Sequence, residues 1–197
     1  MPEPIITFFG DEGSFSHVAA QRRFPCGRLI PGKTPYDCFN DLRRGRSQYI
    51  VVPIENASGG IIDLTVDELI RFGDWKGENQ AVREELSMTI DLVLMGNCPL
   101  SKVGRIYSHR APFDHCDEWL RVNLPQVERV VTASTTQAAM EAAREKGAAA
   151  IGSADSARIY KLKVISTDLG KMAVNKTKFF VIGEPLKSRK PPVLITV

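Results

Sequence analysis

Hydroxyl, amide and glycine residues gather at five points along this chain, each where an apolar run typical of a strand gives way to a turn or a helix. They lie at residues 10–14, 53–60, 108–111, 133–136 and 152–153. Several of these points open predicted helices, whose free N–H groups and dipole favour bound anions. Taken singly, each hydroxyl is explained as a helix cap. Five together favour a binding site for a small anionic molecule.

Other familiar catalytic patterns are absent from the sequence. The loop from Gly10 to Ser14 lacks the lysine and the spacing of a phosphate-binding loop. There is no nucleophile elbow and no Ser-His-Asp order. None of the four cysteines forms a C-x-x-C pair, so we expect free thiols in a reducing cytoplasm and no metal site.

Alternating strands and helices are the elements that must position these residues. Strands are predicted at 5–9, 49–52, 86–95, 103–107, 128–131, 148–151, 162–165 and 177–182, and helices at 14–24, 35–44, 63–72, 112–122, 134–146 and 153–160. This alternation predicts an α/β fold with parallel sheets and helices on both faces. In such sheets ligands lie beyond the carboxyl ends of the strands.

A polar stretch from Gly73 to Arg83 interrupts the alternation and is the best candidate for a boundary. The sequence therefore predicts a first α/β lobe over residues 1–80, a second over residues 81–183, and a tail over residues 184–197 that can return to the first lobe. The long run 86–95 is expected to cross between the lobes.

Composition and charge exclude several classes of protein. Hydrophobic residues make up 43% of the chain and charged residues 25%, which excludes a mainly disordered chain. No apolar run approaches the roughly 20 residues of a membrane span, and the N-terminus has no secretory signal pattern. The net charge of +3 comes from scattered basic groups, so we expect neither nucleic acid nor a membrane as a partner.

Six segments, in order, carry a more specific pattern. They are Gly10-Asp11-Glu12-Gly13-Ser14-Phe15-Ser16-His17, Val52-Pro53-Ile54-Glu55-Asn56, Tyr107-Ser108-His109, Ala133-Ser134-Thr135, Ala149-Ala150-Ile151-Gly152-Ser153 and Asn175-Lys176-Thr177-Lys178-Phe179. This succession resembles the prephenate dehydratase domain from about residue 5 to residue 183. The second and the last of the six segments are the most specific.

The resemblance implies two small doubly wound α/β lobes, like a type II periplasmic binding protein, with the active site in a cleft between them. It implies a lyase that removes water and CO2 from prephenate, giving phenylpyruvate for phenylalanine biosynthesis. No cofactor or metal is implied, and the expected form is a cytoplasmic homodimer. The chain ends where the family's phenylalanine-sensing ACT domain begins, so only the catalytic domain is expected.

The resemblance also implies roles for individual residues. Thr177, Glu55 and Asn56 are the expected catalytic residues, with the Thr177 hydroxyl donating a hydrogen bond as charge develops on the departing oxygen. The prephenate dianion is expected to bind to Ser14, Ser16, Ser108, His109, Ser134, Thr135, Lys178 and Phe179, and Arg110 joins these binding residues as a hypothesis that departs from the family pattern.

The sequence departs from the family pattern inside the expected site. The family has arginine where this chain has Lys178, and proline and glutamine where it has Arg110 and Ala111. Arginine clamps a carboxylate with two parallel hydrogen bonds, whereas lysine acts as a point charge. One hypothesis is that Arg110 takes over part of the clamp, and the alternative is that it points to solvent. A prephenate decarboxylase of secondary metabolism and a non-catalytic two-lobed binding module are the alternative functions.

Overall fold

The fold is taken from a computed structural model, which describes residues 3–57, 59–73, 80–169 and 175–186. The chain divides into two compact units. Of the described residues, the first unit contains those up to Asp11, those from Phe15 to Thr89 and those from Asn175 onward. The second unit contains Glu12–Ser14 and the residues from Ile90 onward to Leu169.

The first unit is built on a mixed sheet of six strands. Its elements are β1 (Ile5–Phe9), α1 (Phe15–Arg23), β2 (Arg28–Gly32), α2 (Pro35–Arg43), β3 (Tyr49–Asn56), β4 (Gly60–Ile61), α3 (Asp63–Gly73), β5 (Ala81–Thr89) and β11 (Lys176–Gly183). The strand order is β2-β1-β3-β11-β5, and β4 pairs with β3. Strands β1, β2 and β3 are parallel, and β11 runs antiparallel to both of its neighbours.

Local signals in the sequence place the helix α2. The Thr34 side chain accepts a hydrogen bond from the backbone N–H of Asp37, and the Asp37 carboxylate accepts one from the backbone of Thr34. Pro35 occupies the first turn, where its missing N–H costs nothing. Gly45, just beyond the helix, has a φ of +65°, which favours glycine. These local signals account for the helix predicted over residues 35–44, which is confirmed at Pro35–Arg43.

The second unit has its own mixed sheet, in the order β10-β6-β9-β7-β8. Its elements are β6 (Val93–Gly96), a short 3₁₀ helix (Leu100–Lys102), β7 (Arg105–Ser108), α4 (Arg110–His115), α5 (Asp117–Asn123), β8 (Glu128–Val131), α6 (Thr135–Arg144), β9 (Ala148–Gly152), α7 (Ala154–Ile159) and β10 (Lys163–Ser166). Strands β7, β8 and β9 are parallel, while β6 and β10 are antiparallel additions. No helix within the described ranges is long and apolar enough to cross a membrane.

The α/β class is confirmed, but the predicted lobe boundaries are wrong. Residues 81–89 and 176–183 were expected in the second lobe, and they form β5 and β11 of the first sheet. The chain returns to the first unit through β11 because this strand buries Phe179, Val181 and Ile182 between β3 and β5. The return therefore precedes the predicted tail, whose residues 187–197 lie outside the described residues.

Three smaller expectations also need correction. The expected loop over residues 53–60 begins later, because β3 continues to Asn56 and pairs with β11. The helix expected over residues 112–122 is two helices that meet at Cys116. Strand β2 was not predicted; it contains Pro31 and lies at a sheet edge, where proline is tolerated.

All four cysteines are free thiols, as the sequence predicts. Cys38 and Cys116 are buried, and desolvation of the charged form raises the pKa of both thiols, that of Cys116 to about 12. Cys26 is exposed. The buried pair therefore behaves as small apolar core residues.

Candidate active site

The first unit brings two of the expected catalytic residues, Thr177 and Asn56, into direct contact. They are opposite each other on the antiparallel strands β11 and β3. The Asn56 Nδ2 atom donates a hydrogen bond of 2.8 Å to Thr177 Oγ1. Thr177 lies on the same face of β11 as Phe179 and Val181, which are 1% and 0% exposed, so core packing fixes its direction.

The orientation of the Asn56 amide is set by the backbone. The N–H of Gly59 donates to Asn56 Oδ1 at 3.0 Å, and a backbone N–H can only donate. The amide oxygen must therefore face Gly59, which leaves Nδ2 facing Thr177. The same nitrogen also donates to Asn175 Oδ1 at 3.0 Å.

This arrangement decides what the Thr177 hydroxyl can do. Its oxygen accepts from Asn56, so its own proton is free to be donated elsewhere. Among the described residues, no acceptor for that proton is found. Thr177 is 7% exposed and its other cross-strand neighbour is Met88, at 2%. In such weakly polar surroundings a hydrogen bond to a charged oxygen is stronger than in water.

Glu55 and Lys178 form a second pair, one position along the same strands. Lys178 Nζ lies 2.8 Å from Glu55 Oε2, and both side chains are 44% exposed. The hydrogen bond to Glu55 and the charge of that carboxylate, with a smaller effect of Glu85, raise the pKa of Lys178. Because consecutive strand residues point to opposite faces, this pair lies on the other face of the sheet from Thr177 and Asn56. The structure does not bring Glu55 or Lys178 to Thr177.

We expect Glu55→Gln to change the turnover of the substrate less than about threefold. The ion pair that it removes is half-exposed, and such pairs contribute about 0–1 kcal/mol. Steady-state kinetics and a thermal melt measure the two effects. A loss of about a hundredfold in turnover would return Glu55 to the reacting centre.

Two further expected binding residues, Ser108 and Phe179, make contacts within the protein core. Ser108 is fully buried, and its hydroxyl donates to the backbone oxygen of Ile151 at 3.0 Å. This bond joins the neighbouring strands β7 and β9. Phe179 is part of the core of the first unit, so both residues hold strands in place.

The remaining candidates of the second unit lie at the starts of helices. Ser134 caps α6, because its Oγ accepts from the N–H of Gln137 at 3.0 Å, and the half-buried Thr135 begins that helix. His109 caps α4 in the same way through Nδ1. The Arg110 side chain is 78% exposed and its Nε lies 3.6 Å from Asp114 Oδ2, an arrangement that favours the solvent-facing alternative.

Ser14 and Ser16 fall in different units. Ser14 belongs with Glu12 and Gly13 to the second unit and is half-buried. Ser16 lies in α1 of the first unit and is 5% exposed. The roles of both hydroxyls toward a substrate stay predictions.

Asn175 belongs to this cluster, although the sequence analysis assigns it no role in the site. Its side-chain oxygen accepts from Asn56, which in turn donates to Thr177. The signal was present in the sequence, because residues two apart on a strand share a face. Asn175 stands two positions before Thr177, at the point where β11 begins.

Comparison with known proteins identifies similar chains. A family model described as prephenate dehydratase matches residues 6–187. The bifunctional chorismate mutase/prephenate dehydratase of Aquifex aeolicus is 29% identical over 197 residues, which cover 98% of this chain and 53% of that protein. Its counterpart in Escherichia coli K12 is 32% identical over 192 residues, covering 90% of this chain and 46% of that protein. The chain spans about half the length of these curated relatives.

A solved structure has a similar fold. It is a prephenate dehydratase from Arthrobacter aurescens in complex with L-Phe, with a TM-score of 0.81 and 26% sequence identity. The match covers 95% of this chain and 62% of that one. The α/β fold described above is therefore the fold of that protein's matching part.

Proposed function

Because the chain belongs to the prephenate dehydratase family, we propose that it catalyses the decarboxylating dehydration of prephenate to phenylpyruvate, a lyase reaction of phenylalanine biosynthesis. The observation that carries this proposal is the Thr177 hydroxyl, whose oxygen accepts from Asn56 and whose proton is left for another acceptor. The curated relatives named above support the choice of reaction.

The proposed reaction requires the protein only to orient the substrate and to stabilise developing charge. The bond between the ring and its carboxylate breaks, its electron pair enters the ring, and the ring hydroxyl leaves. The prephenate dianion and one proton from solvent thus give phenylpyruvate, CO2 and water. Formation of an aromatic ring supplies the driving force, so the enzyme must hold the geometry and stabilise the charge that develops on the departing oxygen.

In this proposal Thr177 donates its hydrogen bond to the departing hydroxyl. A neutral hydroxyl is a weak acid, so it stabilises charge without transferring its proton completely. Asn56 directs the hydroxyl by occupying its oxygen, and Asn175 holds the second N–H of that amide. Hydroxyls and helix N-termini, including those at Ser14 and Ser134, suit the two carboxylates of the substrate.

A second candidate function is decarboxylation of prephenate without formation of the aromatic ring. The observation that favours it is Lys178, which stands where the family has arginine but lies on the other face of the sheet from Thr177 and pairs with Glu55, so it offers no bidentate clamp beside Thr177. A carboxylate that lacks this bidentate partner can bind in another orientation, from which CO2 is lost while the hydroxyl is retained.

Incubation of the purified chain with prephenate separates the candidates. We expect phenylpyruvate, recognised by its enol absorbance in alkali and by chromatography against an authentic standard. Thr177→Val, treated in parallel, controls for the slow acid-catalysed conversion of prephenate. A non-aromatic decarboxylated product would favour the second candidate, and unchanged prephenate would contradict both.

We also propose that the chain works in the cytoplasm as a homodimer. The four free cysteines suit a reducing compartment. The dimer is carried over from the family resemblance, and equilibrium sedimentation across the micromolar range measures it directly.

A further inference from the structure

We propose that Ser153, Ser156 and Tyr160 are positioning residues that hold Glu12, Gly13 and Ser14, here called the Gly13 loop, in the shape that binds the substrate. The proposal rests on the proposed function, since it assigns the loop's Ser14 to binding of the prephenate dianion. All six residues lie in the second unit.

Three hydroxyls at and around one short helix converge on two consecutive carbonyl groups. At the start of α7, Ser153 Oγ donates to the Gly13 oxygen at 2.7 Å, and Ser156 Oγ donates to the same oxygen at 2.9 Å. At the end of α7, the Tyr160 hydroxyl donates to the Glu12 oxygen at 3.1 Å. Both lone pairs of the Gly13 carbonyl are therefore occupied.

The two serines are buried, and both hydroxyls lie within hydrogen-bond distance of this carbonyl. Ser153 is 4% exposed and Ser156 is 0% exposed. Capping of α7 uses only the Ser153 oxygen as an acceptor, from the N–H of Ser156 at 3.0 Å. The cap leaves both hydroxyl protons available. The Gly13 oxygen accepts the Ser156 proton, and the Ser153 proton is shared between the Gly13 oxygen at 2.7 Å and Ser156 Oγ at 3.1 Å. The shorter contact of each hydroxyl is therefore the one to the loop.

The shape of the loop depends on glycine at position 13 for two separate reasons. Gly13 has a φ of +92°, which side chains other than glycine rarely adopt. A Cβ atom at this position would also lie 2.8 Å from Ser156 Oγ and 3.1 Å from Ser156 Cα. Ser156 therefore lies so close to the backbone of Gly13 that a side chain at position 13 would collide with it.

Such a loop needs outside contacts to hold a binding group still. Gly10, just before it, also has a positive φ of 95°, and a chain with two such glycines loses much conformational freedom when it is fixed. The three hydroxyls offset that loss. Ser14 follows Gly13 directly, so the direction of its hydroxyl and N–H depends on how Gly13 is held. Binding groups fixed before the substrate arrives raise affinity.

The test combines kinetics with hydrogen exchange in Ser156→Ala, Tyr160→Phe and the double variant. Each change removes one hydroxyl and leaves the Ser153 cap in place. We expect the double variant to raise KM for prephenate about tenfold, as two lost hydrogen bonds imply, with kcat changed less than about threefold. Deuterium uptake in peptides covering residues 10–16 should be faster, and elsewhere unchanged.

Ser47→Ala is the matched control. Ser47 is 2% exposed, and its buried Oγ has no hydrogen-bond partner among the described residues. Loss of this hydroxyl should change neither KM nor the exchange of residues 10–16. The control separates the loss of these particular contacts from the loss of any buried serine hydroxyl.

The outcomes distinguish this inference from the proposed function. Unchanged exchange of residues 10–16 in the double variant overturns the inference, whatever the kinetics. Faster exchange with an unchanged KM also overturns it, because the loop then moves without consequence for the substrate. If the wild-type chain converts no prephenate, the proposed function fails, and exchange alone decides whether the hydroxyls hold the loop.

Discussion

Thr177→Val is expected to lower kcat for prephenate on the order of a hundredfold or more, with little change in thermal stability. Valine keeps the shape of threonine and removes a donor for which the described part of the chain supplies no acceptor. Loss of a single donor to a developing negative charge costs about this much in other enzymes. Stability changes little because Asn56 is half-buried and keeps its bond to Asn175. Steady-state kinetics and a thermal melt measure both effects.

Two further variants make this result specific. Thr177→Ser restores a hydroxyl and should recover most of the lost turnover. Thr65→Val is the matched control, because Thr65 is fully buried and its Oγ1 has no hydrogen-bond partner among the described residues. The control should turn over prephenate normally and be as stable as the wild type or more so, since it removes an unpaired polar atom. Wild-type turnover in Thr177→Val would contradict a central role for Thr177.

Short-range signals predicted the elements of this fold well. The capping box at Thr34, the caps at Ser134 and Ser153, and the apolar run of β9 depend on neighbours within a few residues. The order of strands in the sheets depends instead on contacts between residues far apart in the chain. Strand β11 pairs with β3 and β5 because of burial among residues far apart in the chain. The predicted lobe boundaries were wrong because the sequence patterns do not reveal this long-range pairing.

The candidate site also has features that local sequence patterns predict and features that depend on distant residues. The motif resemblance indicated Thr177, Asn56 and Glu55. Thr177 and Asn56 are in contact, and the role of Glu55 stays a prediction. Alternation along a strand already places Glu55 and Asn56 on opposite faces, and it places Asn175 on the face of Thr177. The structural use of Ser108 and Phe179 was not predictable in this way, because their burial depends on how the sheets are covered.

Asn56→Asp is expected to harm catalysis more than Asn56→Ala, although aspartate is closer to asparagine in shape. Alanine removes the bond to Thr177 and leaves its hydroxyl free to turn, so we expect a loss of about tenfold in kcat/KM. An ionised carboxylate in the same place accepts the Thr177 proton and reverses the hydrogen bond. The hydroxyl then has nothing to donate to the departing oxygen, and the new charge repels the dianion, so we expect a loss of about a hundredfold or more.

The pH dependence of Asn56→Asp distinguishes this explanation from a simple loss of fit. When the introduced carboxyl is protonated it becomes a donor again and loses its charge, so its activity relative to the wild type should rise as the pH falls through its pKa. The Gly59 N–H still holds the other oxygen, which keeps the group in place. Asn56→Ala has no such group and should follow the wild-type profile. The measurement is kcat/KM for the three proteins between about pH 5 and pH 8, a range that includes the raised pKa of many partly buried carboxyls. Equal losses for the two variants with parallel profiles would show that Asn56 does not set the direction of the Thr177 hydroxyl.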